Sequence, residues 1–228
     1  MILILFKSRI TRRRLSQSTS MTYTTTVFSI PKPVSEDHVN QFIRIRLAAL
    51  RTNPEAFGST YARESAFPHR QWCERVNNPA RTTLVATTAL SATAENSLAG
   101  SQYDDHESKW IGTLSVLAPE MLHSESFPPK IVEAEERGDI EIYMLVGMWV
   151  RPDFRKKGVG RQLVEHASQA VRDLSVINNG QNREGKQKVL LLEVDDTNFE
   201  AQRLYESQSF IELEGTQEGR KWMALNIK

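Results

Sequence analysis

The feature that most constrains this chain is a mostly apolar run, Ile140 to Val150, that leads through Arg151-Pro152-Asp153-Phe154-Arg155-Lys156-Lys157-Gly158-Val159-Gly160-Arg161 into a helix-forming segment. The run shows little alternation, which suits a strand covered on both faces. Leu163, Val164, Ala167, Val171 and Leu174 follow at helical spacing. The stretch between them is a basic turn punctuated by glycine. Gly158 and Gly160 let the backbone curl and bring its N–H groups close to a ligand. The start of the helix adds free N–H donors and a partial positive charge. Arg155, Lys156, Lys157 and Arg161 surround the same point. Such an arrangement binds phosphate or pyrophosphate.

Two familiar phosphate-binding patterns fail at named positions. The string G-x-x-x-x-G-K-[ST] does not occur, and G-x-G-x-x-G breaks because Leu163 stands where the third glycine belongs. A solvated basic turn could carry the same glycines, but the buried strand before it and the amphipathic helix after it favour a ligand loop.

The rest of the chain reads as one mixed α/β domain over residues 25–228, preceded by a tail at 1–24. Val27 to Ile30 forms a short strand closed by Pro31 and Pro33. Ser35 caps a helix whose face is Val39, Phe42, Ile43, Leu47 and Leu50, and Asn53-Pro54 ends it. A short helix near Pro68 carries Trp72 and Val76. Thr82 to Thr88 and Trp110 to Leu117 are strands, separated by a polar loop at 91–108. Residues 118–139, with Pro119, Pro128 and Pro129, form a surface excursion. Beyond a polar loop at 177–187, Val189 to Val194 is a second apolar strand. Thr197 and Glu200 then make a T-x-x-E capping box for a helix through Tyr205. Phe210 to Leu213 and Trp222 to Ile227 are the last strands, joined by a turn at Gly215 to Gly219.

Charge and cysteine content bound the function. The net charge of +1 gives no global pull toward nucleic acid or a membrane surface. Removing the five cations of residues 1–20 (Lys7, Arg9, Arg12, Arg13, Arg14) takes the net charge from +1 to −4, so the body is mildly acidic. That favours a cationic acceptor, weakly. Cys73 is the single cysteine, which fits a reducing, cytoplasmic setting. Five scattered histidines and this cysteine show no metal-ligand spacing. No apolar run approaches the ~20 residues of a membrane-spanning helix. Residues 1–20 are Arg- and Ser-rich and free of acids. They read as a disordered leader, as translation upstream of an initiator at Met21, or as a mitochondrial presequence. No pattern specifies an oligomeric state.

The motifs resemble those of the GNAT (Gcn5-related N-acetyltransferase) superfamily. Its signature [RQ]-x-x-G-x-[GA], preceded by V-x-P, is similar to Val150-Arg151-Pro152 and Arg155-x-x-Gly158-x-Gly160 at every defined position. A second stretch, Asn198, Ala201 and Leu204-Tyr205-Glu206 leading to Phe210, resembles the family's later motif. The strong resemblance covers residues 140–213. Pro54-Glu55-Ala56-Phe57 adds a weaker likeness to the family's small-molecule-type members.

The resemblance implies one mixed, mostly antiparallel sheet flanked by helices, with the fourth and fifth strands splayed. It implies acetyl-CoA as co-substrate and no metal. Backbone groups near Met148, Trp149 and Val150 would pair with pantetheine. The N–H groups from Arg155 through Lys156, Lys157, Gly158 and Val159 to Gly160 would hold the pyrophosphate, with Arg161 beside them. Asn198 would contact pantetheine or the closing helix, and Tyr205 would lie near the thioester sulfur.

The implied reaction is direct attack of an amine on the acetyl thioester. A phenol of ordinary pKa about 10 can protonate a departing thiolate, the role expected of Tyr205; a core tyrosine with a wet hydroxyl is the plainer reading. The general base stays open. Some family members carry a glutamate six residues before the V-x-P valine, where this chain has Met144. Glu141 should point to the opposite face, Glu193 is either a base or an internal ion-pair partner, and a water chain to solvent is a third route for the proton. A CoA-binding module without catalysis and an unrelated nucleotide binder are the rival readings. The acceptor, a small amine or a protein N-terminus or lysine, should meet a pocket built from residues 50–75, the 118–139 excursion and the C-terminal strands.

Overall fold

The computed structural model describes residues 23–90, 110–123, 127–177, 186–214 and 219–227. In chain order the elements are β1 (Tyr23–Ser29), α1 (Glu36–Thr52), α2 (Tyr61–Ser65), α3 (His69–Asn77), β2 (Arg81–Leu90), β3 (Trp110–Leu117), α4 (Pro129–Glu136), β4 (Ile140–Val150), α5 (Val159–Ile177), β5 (Gln187–Asp195), α6 (Phe199–Ser207), β6 (Ile211–Glu212) and β7 (Arg220–Ile227). The residues expected to form the 91–108 loop, most of the 177–187 loop and most of the 215–219 turn lie outside the described residues, as does the tail through residue 22.

The strands form one sheet in the order β1-β2-β3-β4-β5-β7-β6. Every pair is antiparallel except β4 with β5. A parallel pair needs a long crossover, and α5 supplies it. This is the GNAT-type mixed sheet, with the fourth and fifth strands as its parallel pair.

Each sheet face has its own helices. On one face α5 lays Val159, Leu163, Val164, Ala167 and Val171, each at most 2% exposed, against Leu114, Leu145, Leu190 and Leu192. Full burial of each such side chain contributes roughly 1.5–3 kcal/mol, enough to fix where α5 begins relative to β4. On the other face α1 and α3 cover the β1–β3 side through Val39, Phe42, Ile45, Ala49, Trp72 and Val76. Phe127, Ile142, Val189, Leu191 and Trp222 form a separate cluster on the β4–β5–β7 side. Between these two apolar clusters the sheet face is polar.

Several expectations are corrected. The buried face of α1 is Val39, Phe42, Ile45, Arg46, Ala49 and Leu50, with Ile43 and Leu47 only partly covered. The 118–139 excursion contains α4, which begins at Pro129; proline at the first helical position promotes a helix, because its missing N–H would be unpaired there anyway. Asn198, not Thr197, caps α6: its Oδ1 accepts from the Ala201 N–H at 3.1 Å. Thr197 is engaged by Asp195 through both its N–H and its hydroxyl. The final expected strand before the turn shortens to Ile211–Glu212, with Phe210 buried beside Tyr205.

Candidate active site

β4 and β5 pair only from Ile140↔Gln187 to Met144↔Leu191. Beyond Met144 the strands part, and the edges Leu145–Val150 and Leu192–Asp195 face one another without a ladder. Both edges line a cavity of about 1160 Å3. Single drug-sized ligands occupy roughly 300–1,000 Å3, so this volume has room for more than one. Unpaired strand edges inside a cavity need a hydrogen-bonding partner, and an extended ligand lying between them would provide one.

The cause of the splay is legible in β4 itself. Its register with β3 passes from Ser115↔Val146 to Thr113↔Trp149, so Gly147 and Met148 together oppose Leu114. That is a β-bulge, and Gly147 takes φ +64° within it. Only glycine adopts this conformation readily. The bulge bends the end of β4 and releases its backbone groups from regular pairing.

Past the bulge the chain enters the basic loop. Lys156 at φ +58° and Gly158 at φ +81° curl it into a concave run of N–H groups ahead of α5. The first turn of α5 presents further N–H donors at Val159, Gly160 and Arg161. Gly160 allows the close approach of three elements, because a Cβ there would lie 3.0 Å from Leu204 Cδ2 of α6 and 3.0 Å from Met148 Cε of β4. Arg155 departs from its expected role. Its N–H donates to the Pro152 carbonyl, its Nε to the Val150 carbonyl at 2.9 Å, and its Nη2 to Asn53 Oδ1 at 2.6 Å. Asn53 Oδ1 also accepts from Trp149 Nε1 at 3.1 Å. Arg155 therefore ties the loop to the end of α1 rather than offering its own N–H to a ligand. Lys156 lies on the rim, paired with Glu200 of α6 at 3.0 Å.

Tyr205 of α6 reaches the gap from the α5 side. The residue is 7% exposed, and its hydroxyl donates to Met148 Sδ at 3.2 Å. Burial pushes its pKa up, so the phenol stays protonated. Asn198 lines the cavity while capping α6.

The half of the cavity under α1, α2 and α3 carries a group of charges that the sequence reading did not single out. Glu64, 2% exposed, accepts from Arg46 twice, at 2.9 Å from Nε and 2.6 Å from Nη2, and from Arg75 Nη1 at 3.0 Å. Burial alone would raise the Glu64 pKa. The hydrogen bonds from Arg46 and the charges of Arg75 and Arg46, helped by Ser59, overcome it and hold the carboxyl at about 2. Arg46 Nη1 lies 3.7 Å from the Cβ position of Gly147, which sets this group against the bulge. Arg81, 7% exposed, lies deeper, with Nη1 3.4 Å from Ser115 Oγ. Burial, reinforced by the charges of Arg75 and Arg46, pulls its pKa down to about 10. Phe42, Phe57 and Phe67 complete the walls of this half.

Glu193 stands on the cavity wall with Arg220 Nη1 at 3.4 Å, so the ion-pair partner foreseen for it is present. Glu141 is buried and accepts from the Tyr143 hydroxyl at 3.0 Å; it does not line the cavity. The described residues of the 118–139 excursion do not line it either. Leu122, Phe127, Ile131 and Val132 instead pack on the cluster beside Met144. His166 is exposed on α5. Trp72 and Trp110 are core residues. Glu36, His69 and Cys73 come within 4.8 Å of one another away from the cavity, but both His69 nitrogens already face the other two side chains.

A sheet opened between its two parallel strands, with a glycine-bearing basic loop at the mouth of the opening, is the framework of an acyltransferase. Residues 129–212 match the family model described as the acetyltransferase (GNAT) domain. The matched stretch runs from the start of α4 to the end of β6 and takes in the splayed strands, the loop and α5. Solved structures share the fold at low identity. Arabidopsis thaliana NAA60 in complex with acetyl-CoA aligns with TM-score 0.54 and 13% identity over 90% of this chain and 99% of its own. A GNAT-family acetyltransferase from Staphylococcus aureus Mu50 aligns at 0.52 and 10% over 90% and 100%. FeeM, an N-acyl amino acid synthase from uncultured soil microbes, aligns at 0.54 and 10% over 90% and 92%. No curated protein matches the sequence.

Proposed function

We propose that the protein is an acetyl-CoA-dependent N-acetyltransferase in which an amine attacks the thioester directly. The observation that carries this reading is the gap between β4 and β5. Its unpaired backbone edges offer an extended pantetheine arm the pairing of a missing strand, and the glycine loop at its mouth offers N–H groups to a pyrophosphate. The acetyl group then lies at the Gly147–Met148 bulge, where a backbone N–H freed from the β3 ladder stabilises the tetrahedral oxyanion. The Tyr205 hydroxyl donates to the departing thiolate, a hydrogen bond that burial favours over full loss of the phenol proton. Its hydroxyl already donates to a sulfur, that of Met148, and a thiolate is a far stronger acceptor than a thioether.

The acceptor arrives as an ammonium of pKa near ~10.4 and must lose a proton. Glu64 is unsuited to take it, since it is held ionised at about 2 by two arginines. Glu193, on the cavity wall near the open end of β5, or a chain of water to solvent takes it instead.

Acetyl-CoA and CoA should raise the melting temperature, whereas ATP and GTP should not. With a panel of amines, free thiol should appear. Tyr205→Phe should lower turnover by about 10²–10⁴-fold, the usual scale of acid–base assistance, with the acetyl-CoA dissociation constant unchanged. An unaltered rate in that variant would remove the acid role, and binding without thiol release across the panel would make the chain a silent CoA-binding module.

A further inference from the structure

The polar strip between the two apolar clusters of the acceptor-side face is built from alternate residues of two neighbouring strands. Arg81 and Thr83 of β2 and Thr113 and Ser115 of β3 are all buried, at positions where a purely structural sheet would place apolar side chains. Thr83 Oγ1 and Ser115 Oγ are 3.2 Å apart, and Thr113 donates to the Leu84 carbonyl, so the hydroxyls are satisfied locally. Arg81 is not. Among the described residues its Nε meets no hydrogen-bond partner although it is buried, and no carboxylate pairs with its guanidinium. A buried, half-satisfied cation is costly unless something completes it.

The neighbouring charges sharpen the point. Arg46, Arg75 and Arg81 share one carboxylate, Glu64, and Arg46 and Arg75 already occupy its two oxygens. The group therefore carries an excess of two positive charges, with Glu64 and Arg81 themselves buried. Lys32, whose Nζ donates to the Arg81 carbonyl, adds another cation behind it. Aromatic faces hold two of the guanidinium groups in place: Arg46 lies 4.7 Å from the centre of the Phe57 ring, and Arg75 lies 5.6 Å from that of Trp72. Arg81, Arg75 and Ser115 line the cavity, so a ligand in it can reach them.

We infer that the acceptor amine also carries an anionic oxyacid group, a carboxylate or a phosphate, seated on Arg81 and Arg75. This rests on acetyl transfer at the same site. The anion balances the excess charge where Arg81 and Arg75 meet the cavity, while the amine end points toward the bulge that Arg46 adjoins. It reverses the weak preference for a cationic acceptor drawn from the net charge of the body. Overall charge sums a distant surface, whereas the acceptor meets these buried groups at contact distance.

Matched acceptors test this with acetyl-CoA saturating: L-phenylalanine against L-phenylalaninamide, and O-phosphoethanolamine against ethanolamine. The anionic member of at least one pair should win by about 10- to 100-fold in kcat/KM, the worth of one charge-assisted hydrogen-bond set. Which pair responds separates carboxylate from phosphate. Arg81→Gln should erase the preference mainly through KM and leave acetyl-CoA affinity intact. Calorimetry with N-acetylphenylalanine and N-acetylphenylalaninamide, CoA present, reads the carboxylate preference without turnover. Should Arg81→Gln fail to fold, Arg75→Gln and the wild-type pairs carry the test. Equal or better use of the neutral members, in both rate and binding, would overturn the inference. Failure of acetyl transfer would show separately, as loss of acetyl-CoA binding or of thiol release with every amine.

Discussion

Replacing Glu64 by glutamine tests the electrostatics of the acceptor recess directly. The substitution keeps the shape and one acceptor oxygen but removes the one charge that balances Arg46 and Arg75. The folded-state pKa of about 2 lies roughly 2.5 units below the ordinary 4.5. At 1.36 kcal/mol per unit, the charged form is stabilised by about 3 kcal/mol, which agrees with the ~3–5 kcal/mol typical of breaking a buried pair. A domain of this size loses about 2–4 °C per kcal/mol, so the melting temperature should fall by about 6–12 °C at pH 7. The pH dependence has a definite sign. Because the folded value is depressed, the stabilisation is complete above about 4.5 and drains away as pH falls toward about 2. Denaturant titrations of both proteins from pH 7 to pH 3 should therefore converge as the solution is acidified. A variant within about 0.5 kcal/mol of the wild type at pH 7, or a gap that does not narrow between pH 6 and pH 3, would refute this account of the cluster.

Two further substitutions probe the donor side. Gly160→Val drives β-branched bulk into Leu204 and Met148 at a point where a Cβ alone would already stand at 3.0 Å. Overpacking of that kind costs about 1–3 kcal/mol, and the thermal shift produced by acetyl-CoA should shrink or vanish. Asn53→Ala removes the acceptor shared by Trp149 and Arg155. Losing a charge-assisted bond and a neutral one should cost about 2–4 kcal/mol of stability and weaken acetyl-CoA binding, read by denaturation and by calorimetry. An unchanged acetyl-CoA affinity would show that the loop holds its shape without α1.

The strand, loop and helix of the proposed donor half were legible in the sequence because they are written in consecutive residues. An apolar strand, two glycines at fixed spacing and an amphipathic helix set β4, the loop and the start of α5, and β3 and β4 have the bounds the pattern implied. The acceptor half was not legible, for a physical reason. Arg46, Glu64, Arg75 and Arg81 come from α1, α2, α3 and β2. Each alone reads as an ordinary charge on a short amphipathic segment; only the packing of four elements makes them a buried group. Thr113 and Ser115 offered a signal, since they alternate with apolar residues in a strand whose neighbours cover both faces. Period-two polarity reads equally well as a solvent-facing edge. At the start of α6, Thr197 and Asn198 were both competent caps, and Asp195 decided between them by engaging the threonine. Arg155 was misassigned because a motif position does not say whether its side chain or its N–H does the work.

The two halves also divide the electrostatic labour along β4. On the proposed function, the loop beyond Val150 gathers positive potential for the donor's phosphates, and the arginines beside Gly147 gather it for the acceptor recess. Between them the groups nearest the proposed thioester are uncharged: Met148, the backbone of the bulge, and a tyrosine that burial keeps protonated. This spacing matters for acyl transfer. A cation at the bulge would discourage an ammonium from approaching, yet it would also favour the neutral amine that must attack. Arg46 stands at that point, but its charge is spent on Glu64, so it leaves only a weak residual field. The excess charge lies on Arg75 and Arg81, where it can hold an acceptor's anion without facing its amine. On this view Glu64 is what separates anchoring from chemistry, because removing it would leave Arg46 uncompensated beside the reacting nitrogen.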